Sequence, residues 1–157
     1  MAHEYTAKVS WTRNGESFSD NRYSRGHLWT FDGGIEVPAS ASPSVVPLPF
    51  SREDAVDPEE AFMAAVSSCH MLTFLSIAAK KRFVIDAYED RAVGVMTKNP
   101  KGKLFVSKVT LDPMIEFSGE KRPTPEQIAD MHHLAHQECF IANSVLTEVV
   151  VAGLPSH

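Results

Sequence analysis

Cysteine is scarce: the 157-residue chain carries two, Cys69 and Cys139. In a reducing compartment that count excludes a disulfide scaffold and leaves two readings, small buried hydrophobes or a working thiol pair. An excess of basic residues is also missing. With 15 Lys and Arg against 20 Asp and Glu, the formal charge is −5 and the pI about 5.8. A chain with that balance lacks the electrostatic footprint of a nucleic-acid binder. Uninterrupted apolar runs stay far short of the roughly 18 residues that cross a bilayer. Met1 to Lys8 shows no basic segment followed by an apolar core, so a secretory leader is not expected and the chain reads as soluble and cytoplasmic. No Gly-x-Ser-x-Gly elbow, phosphate-binding loop or dinucleotide fingerprint occurs, and Asp32-Gly33-Gly34 reads as a turn.

What is present is an ordinary globular composition, 43% apolar and 22% charged. At this length one domain, 1–157, buries about two-thirds of the surface of the unfolded chain. Alternation of Tyr5, Ala7, Val9 and Trp11 with polar neighbours predicts a strand over 5–13, followed by the turn dipeptide Asn14-Gly15. Further strands are expected at 28–31 and 35–38, making a small antiparallel meander. From Ala39 to Val56 three prolines and several serines replace any periodicity. A loop of that length inside a compact domain is usually tied to a site or a partner.

The strongest local signal follows. Asp57-Pro58-Glu59-Glu60 supplies an N-cap, a proline at the first helical position and a glutamate three residues past the cap. Residues 61–82 contain neither Gly nor Pro and are apolar around most of the helical circumference, ending in Lys80-Lys81-Arg82. This predicts a long central helix buried on more than one face. Strands are expected over 84–96, 103–111 and 114–117, with Asn99-Pro100-Lys101-Gly102 as a hairpin turn. Thr124-Pro125-Glu126-Gln127 repeats the capping pattern and starts a second helix to about Glu138, before a closing strand at 145–151. The order βββ-α-ββ(β)-α-β is an α+β pattern.

Cys69 falls inside the central helix and Cys139 at the end of the second. Each alone reads as an inert core residue. A nucleophilic role requires the thiolate, hence a nearby positive charge. Twelve residues past the cap, Cys69 is beyond reach of the helix dipole, and His70 points about a quarter-turn away, so the charge must come from elsewhere in the chain. A competing reading is metal binding, since His132, His136 and Cys139 stand at i, i+4 and i+7 beside His133. No fourth ligand completes that motif.

These pieces together resemble the OsmC/Ohr family of peroxidatic proteins. The resemblance lies in Asp57-Pro58-Glu59-Glu60-Ala61-Phe62 leading through Ala64-Ala65 to Ser68-Cys69-His70. It continues in His136-Gln137-Glu138-Cys139 after the Pro125 helix start, and in Tyr23-Ser24-Arg25-Gly26-His27 as an early arginine segment. It implies an OsmC-like fold: antiparallel sheets, a long buried central helix, a second helix, and an intertwined homodimer with sites at the subunit interface. It also implies a thiol-dependent peroxidase that needs no cofactor, reduces hydroperoxides, organic ones especially, and is recharged by a small dithiol or a dithiol-bearing protein. By position Cys69 would be peroxidatic and Cys139 resolving, while Arg25 would stabilise the thiolate and Glu59 would hold the arginine. A continuous helix places Glu59 about 15 Å along the axis from Cys69, so Glu59 reaches the site only through Arg25, a kink or a partner subunit. The other reading for such a fold is a dimer that binds a small apolar ligand at the interface, its thiols idle.

Overall fold

The computed structural model describes residues 2–156, so Met1 and His157, the ends of the expected single domain, lie outside it. The chain divides into two compact units, Met1–Ala61 and Phe62–His157.

The first unit holds the meander: β1 (Ala7–Ser10), β2 (His27–Phe31) and β3 (Glu36–Ala39), antiparallel in the order β1-β2-β3. Asn14 and Gly15 both take positive φ, 52° and 78°, as a tight turn of that composition demands. The turn is local, however, because β1 pairs with β2 across a long excursion rather than with the segment just after it. The proline-rich loop is closed at its base by a parallel bridge between Ala39 and Val56, where the Ser40 N–H donates to the Val56 carbonyl at 3.0 Å.

Helix α1 (Pro58–Lys80) starts at the expected cap. The Glu60 N–H donates to Asp57 Oδ1 at 2.8 Å and the Asp57 N–H to Glu60 Oε2 at 3.1 Å, a reciprocal capping box. At the other end Arg82 sits in the left-handed region at φ 64°, with Arg82 N–H on the Ala79 carbonyl and Phe83 N–H on the Ala78 carbonyl. That is a Schellman stop, in which glycine is the usual occupant. Replacing Arg82 with glycine is expected to stabilise the fold by about 0.5–1 kcal/mol, read as a higher urea midpoint with unchanged slope.

In the second unit α1 is the spine of two cores. Its fully buried residues, Val66, His70, Phe74 and Ala78, recur every four positions along one stripe. Val66 packs with Val109, Leu111 and Val149 of one sheet, whereas Phe74 and Ala78 pack with Phe83, Met131 and Ala135. The expected burial on several faces is therefore narrower within one chain, and Leu72 remains 63% exposed. By length and composition α1 could cross a membrane, yet its buried stripe builds both cores.

The apolar segment 84–96 is two strands belonging to different sheets. β4 (Val84–Asp90) pairs with β7 (Pro113–Ser118), and β5 (Val93–Lys98) pairs with β6 (Leu104–Leu111). The β5–β6 hairpin turns at Asn99, whose Oδ1 accepts from the Lys101 and Lys103 N–H groups at 2.9 and 3.0 Å. Helix α2 (Pro125–Glu138) opens with the Thr124/Gln127 capping box. A 3-10 turn (Ala142–Ser144) then leads to β8 (Glu148–Val151). The sheets are not wholly antiparallel, because β8 runs parallel to β6. The long connection through β7 and α2 brings the chain back in the same direction, as a parallel pair requires.

Candidate active site

Both cysteines belong to the second unit and both are free thiols. Cys69 lies half-buried on α1, one residue before the buried stripe, and its carbonyl accepts from Thr73 Oγ1 at 2.8 Å. Cys139 occupies the C-cap of α2, where the backbone leaves helical geometry, and is 1% exposed. The turn after the cap folds back on it, so that the Ala142 N–H points at Cys139 Sγ from 3.4 Å and the Asn143 N–H donates to its carbonyl at 3.0 Å. Burial pushes the Cys139 thiol up to about 11, and the neighbouring Cys69 side chain adds to the rise. The Ala142 N–H works the other way but is outweighed. Two sulfurs 70 positions apart in the chain are thus brought together, and the inner one is a protonated thiol at neutral pH.

Beside the cysteines lies a group that the sequence pattern did not single out as a unit. His70 Nε2 and His132 Nδ1 stand 2.9 Å apart, with the ring planes within 12° of parallel and the centroids 5.2 Å apart, so the rings meet edge to edge. The two residues are 1% and 4% exposed, and His132 also lies against the Phe74 ring at 4.3 Å. Burial lowers both imidazoles from 6.5 to about 4. For His70 the charges of His132 and His136 lower it further, whereas Asp90 partly opposes the effect at His132. The only signal in the sequence was that His70 falls on the Val66–Phe74 stripe. Nothing local relates it to a residue 62 positions later.

One member of the His132, His136 and Cys139 set thus belongs to this imidazole pair. His132 is buried against His70 and Phe74, while His136 is half-buried and Cys139 is buried at the end of α2. Among the described residues no three His, Cys, Asp or Glu side chains converge on one point. Asp90, at the end of β4, is instead a hydrogen-bond hub: it accepts from Ser67 Oγ and, at 2.7 Å, from the Asp112 N–H. With Met63, Ser68 and Arg91 it borders a cleft of about 320 Å³. The Tyr88 hydroxyl is buried without a partner among the described residues, and burial, with Asp90 adding to it, raises its pKa.

The other two candidates, Arg25 and Glu59, belong to the first unit. Arg25 is held by its backbone on both sides. Its N–H donates to the Phe50 carbonyl at 2.8 Å, and its carbonyl accepts from His27 Nδ1 at 2.7 Å. Trp29 Nε1 donates to His27 Nε2 at 3.0 Å, which assigns the imidazole proton to Nδ1. The guanidinium donates through Nη1 to the carbonyls of Asn21, at 2.8 Å, and Tyr23, and lies 3.7 Å over the Tyr23 ring. Within the single chain, among the described residues, Glu59 forms no ion pair with it. Among the described residues the ion pairs are Arg52–Asp54 and Arg91–Glu89. The chain instead offers Arg25 an aromatic face and two carbonyls close in sequence, a cradle with low entropic cost. Tyr23 itself stacks on Phe18 at 4.7 Å and meets Trp11 edge-on at 5.5 Å. Together with Val9 and His27 these residues line a cavity of about 470 Å³.

The α+β architecture, with a long central helix and a second helix among small sheets, is one that known proteins share. The OsmC-like protein family model matches residues 51–152, and the chain belongs to that family. An OsmC-like protein of unknown function from Vibrio cholerae is 60% identical, with 96% of this chain and 98% of that one covered, and superposes at a TM-score of 0.93. An organic hydroperoxide resistance protein from Elizabethkingia anophelis, solved with thiocyanate bound, covers 96% and 98% at 18% identity and a TM-score of 0.67. One from Legionella pneumophila covers 96% and 95% at 15% identity and 0.63. At those identities the likeness is one of fold. No curated protein sequence matches the chain.

Proposed function

We propose that this protein is a two-cysteine hydroperoxide reductase of the cytoplasm, acting in oxidative-stress defence without a cofactor. The observation that carries the reading is the meeting of Cys69 and Cys139 as two free thiols. The Cys69 thiolate attacks the peroxide: the O–O bond breaks, an S–O bond forms, and the alkoxide takes a proton and leaves as alcohol. The Cys69 sulfenic acid then condenses with the Cys139 thiol. An S–S bond forms, the sulfenic hydroxyl leaves with the Cys139 proton as water, and further oxidation is avoided. A small dithiol or dithiol protein exchanges with the disulfide and restores both thiols, itself becoming a disulfide. Arg25 stabilises the thiolate and orients the peroxide, and Glu59, which forms no ion pair with it in the single chain, aims it in the dimer, as the family resemblance implies. The working form is a homodimer, and the exposed apolar side of α1 around Leu72 supports that part of the reading.

The test is a count of free thiols before and after one equivalent of cumene hydroperoxide. Wild type is expected to lose two thiols per chain and Cys69→Ser to lose none. Arg25→Ala is expected to react about tenfold to hundredfold more slowly, the loss of a charge-assisted hydrogen bond. Unchanged thiols in wild type would favour the second reading, a dimer that binds a small apolar molecule without turnover. The aromatic cavity beside Arg25 supports that alternative.

A further inference from the structure

The buried stripe of α1 is apolar except at His70, and His70 faces another imidazole. An apolar residue there would pack against α2 in several registers with little penalty. Two imidazoles joined by an N–H···N bond of 2.9 Å do not slide: a shift of one residue along a helix moves the ring about 1.5 Å and breaks the bond. Such buried polar pairs specify geometry more than they add stability.

The tautomers follow from which atoms are satisfied. His70 Nδ1 is buried and has no partner among the described residues. If His132 donated from Nδ1, the proton of His70 would sit on that orphaned Nδ1, and a buried N–H with no acceptor is the rarer and costlier arrangement. His70 Nε2–H is therefore the donor and His132 Nδ1 the acceptor.

The position of the pair gives it a role. His70 directly follows Cys69 on α1, and His132 stands seven residues, two helical turns, before Cys139 on α2. We propose that the His70–His132 hydrogen bond fixes the register of α1 against α2 and so sets the approach of Cys69 to Cys139, making the two histidines positioning residues for disulfide closure. The proposal rests on the reading of Cys69 and Cys139 as a working pair. It differs from that reading in being testable without any peroxide.

The measurement is the dithiol–disulfide equilibrium of the full chain in buffers of reduced and oxidised glutathione. Oxidised glutathione takes two electrons from the Cys69 and Cys139 thiols and leaves as two thiols while the S–S bond forms. His132→Leu, which strands the His70 donor, is expected to lower the equilibrium constant for closure about tenfold, moving the potential about 30 mV toward easier reduction. His132→Asn keeps an acceptor near the Nδ1 position and is expected to stay within about threefold of wild type. Should His132→Leu fail to fold, His132→Gln, whose acceptor is displaced by one methylene, is expected to show the tenfold loss. A folded His132→Leu chain at the wild-type potential, or equal shifts in the Leu and Asn variants, would overturn the proposal, as would a wild-type chain that forms no disulfide at any glutathione ratio. If hydroperoxide consumes no thiols while the Leu and Asn variants still separate, the positioning role stands and the peroxidase reading alone falls.

Discussion

Acidifying the protein from pH 7 to pH 5 is expected to lower its unfolding free energy by about 4 kcal/mol through His70 and His132 alone. In the folded chain both imidazoles are held neutral down to about pH 4, because burial penalises the cation and, at His70, His132 and His136 repel it. In the unfolded chain both take up protons near their ordinary pKa of 6.5. Between pH 6.5 and 4 the unfolded state therefore binds more protons, so stability rises with pH across that window and falls as pH drops through it. By pH 5 each histidine contributes about 2 kcal/mol of loss, and above pH 7 neither contributes. His136, Asp90 and Tyr88 are titratable groups near the pair; His136 adds to the effect at His70, Asp90 moderates it at His132, and the raised pKa of Tyr88 keeps that phenol neutral throughout. Urea unfolding at pH 5, 6 and 7 should show the loss in wild type and its near disappearance in the double variant His70→Gln/His132→Asn. Carboxylates common to the two proteins cancel in the difference. Parallel pH dependences in both proteins would show that the pair titrates normally when folded.

Cys139→Ser is expected to keep the first reaction and lose the cycle. In the proposed mechanism Cys69 alone reduces the hydroperoxide, so one equivalent should still yield one alcohol and one Cys69 sulfenic acid, trapped by dimedone and weighed by mass spectrometry. What disappears is an intramolecular thiol already held beside the sulfenic acid. A millimolar external thiol is a poor substitute for a positioned one, and steady-state turnover should fall at least roughly a hundredfold. Excess hydroperoxide should then carry Cys69 on to the sulfinic acid, a product that wild type avoids. If the variant turns over like wild type, Cys139 is not the resolving thiol. The contrast with Cys69→Ser, which should do neither reaction, separates the two sulfurs by role.

Several features of this protein follow from neighbours within four residues, and these are legible in the sequence. Asp57 with Glu60 and Thr124 with Gln127 start α1 and α2 where they do because a cap bonds only to its own first turn. Asn99 and Gly102 turn the β5–β6 hairpin for equally local reasons. The order of elements, the α+β class and the family resemblance all rest on such short-range signals. Periodicity along 84–96 gave an apolar extended segment, but the break that sends β4 and β5 to separate sheets depends on partners far along the chain.

Side-chain meetings were decided by the folded chain alone. Arg25 and Glu59 are both visible in the sequence, yet the guanidinium settles on Tyr23, since its backbone bonds to Phe50 and His27 fix where the side chain begins. His70 and His132 each had a bland sequence reading, and only the packing of α1 on α2 makes them one buried pair. The sequence by itself determined which helices exist and where two thiols lie on them, because capping and periodicity act over single turns. The tertiary structure decided that those thiols meet and that two neutral imidazoles are locked beside them, because contacts across 62 and 70 positions depend on helix register, which no local pattern encodes.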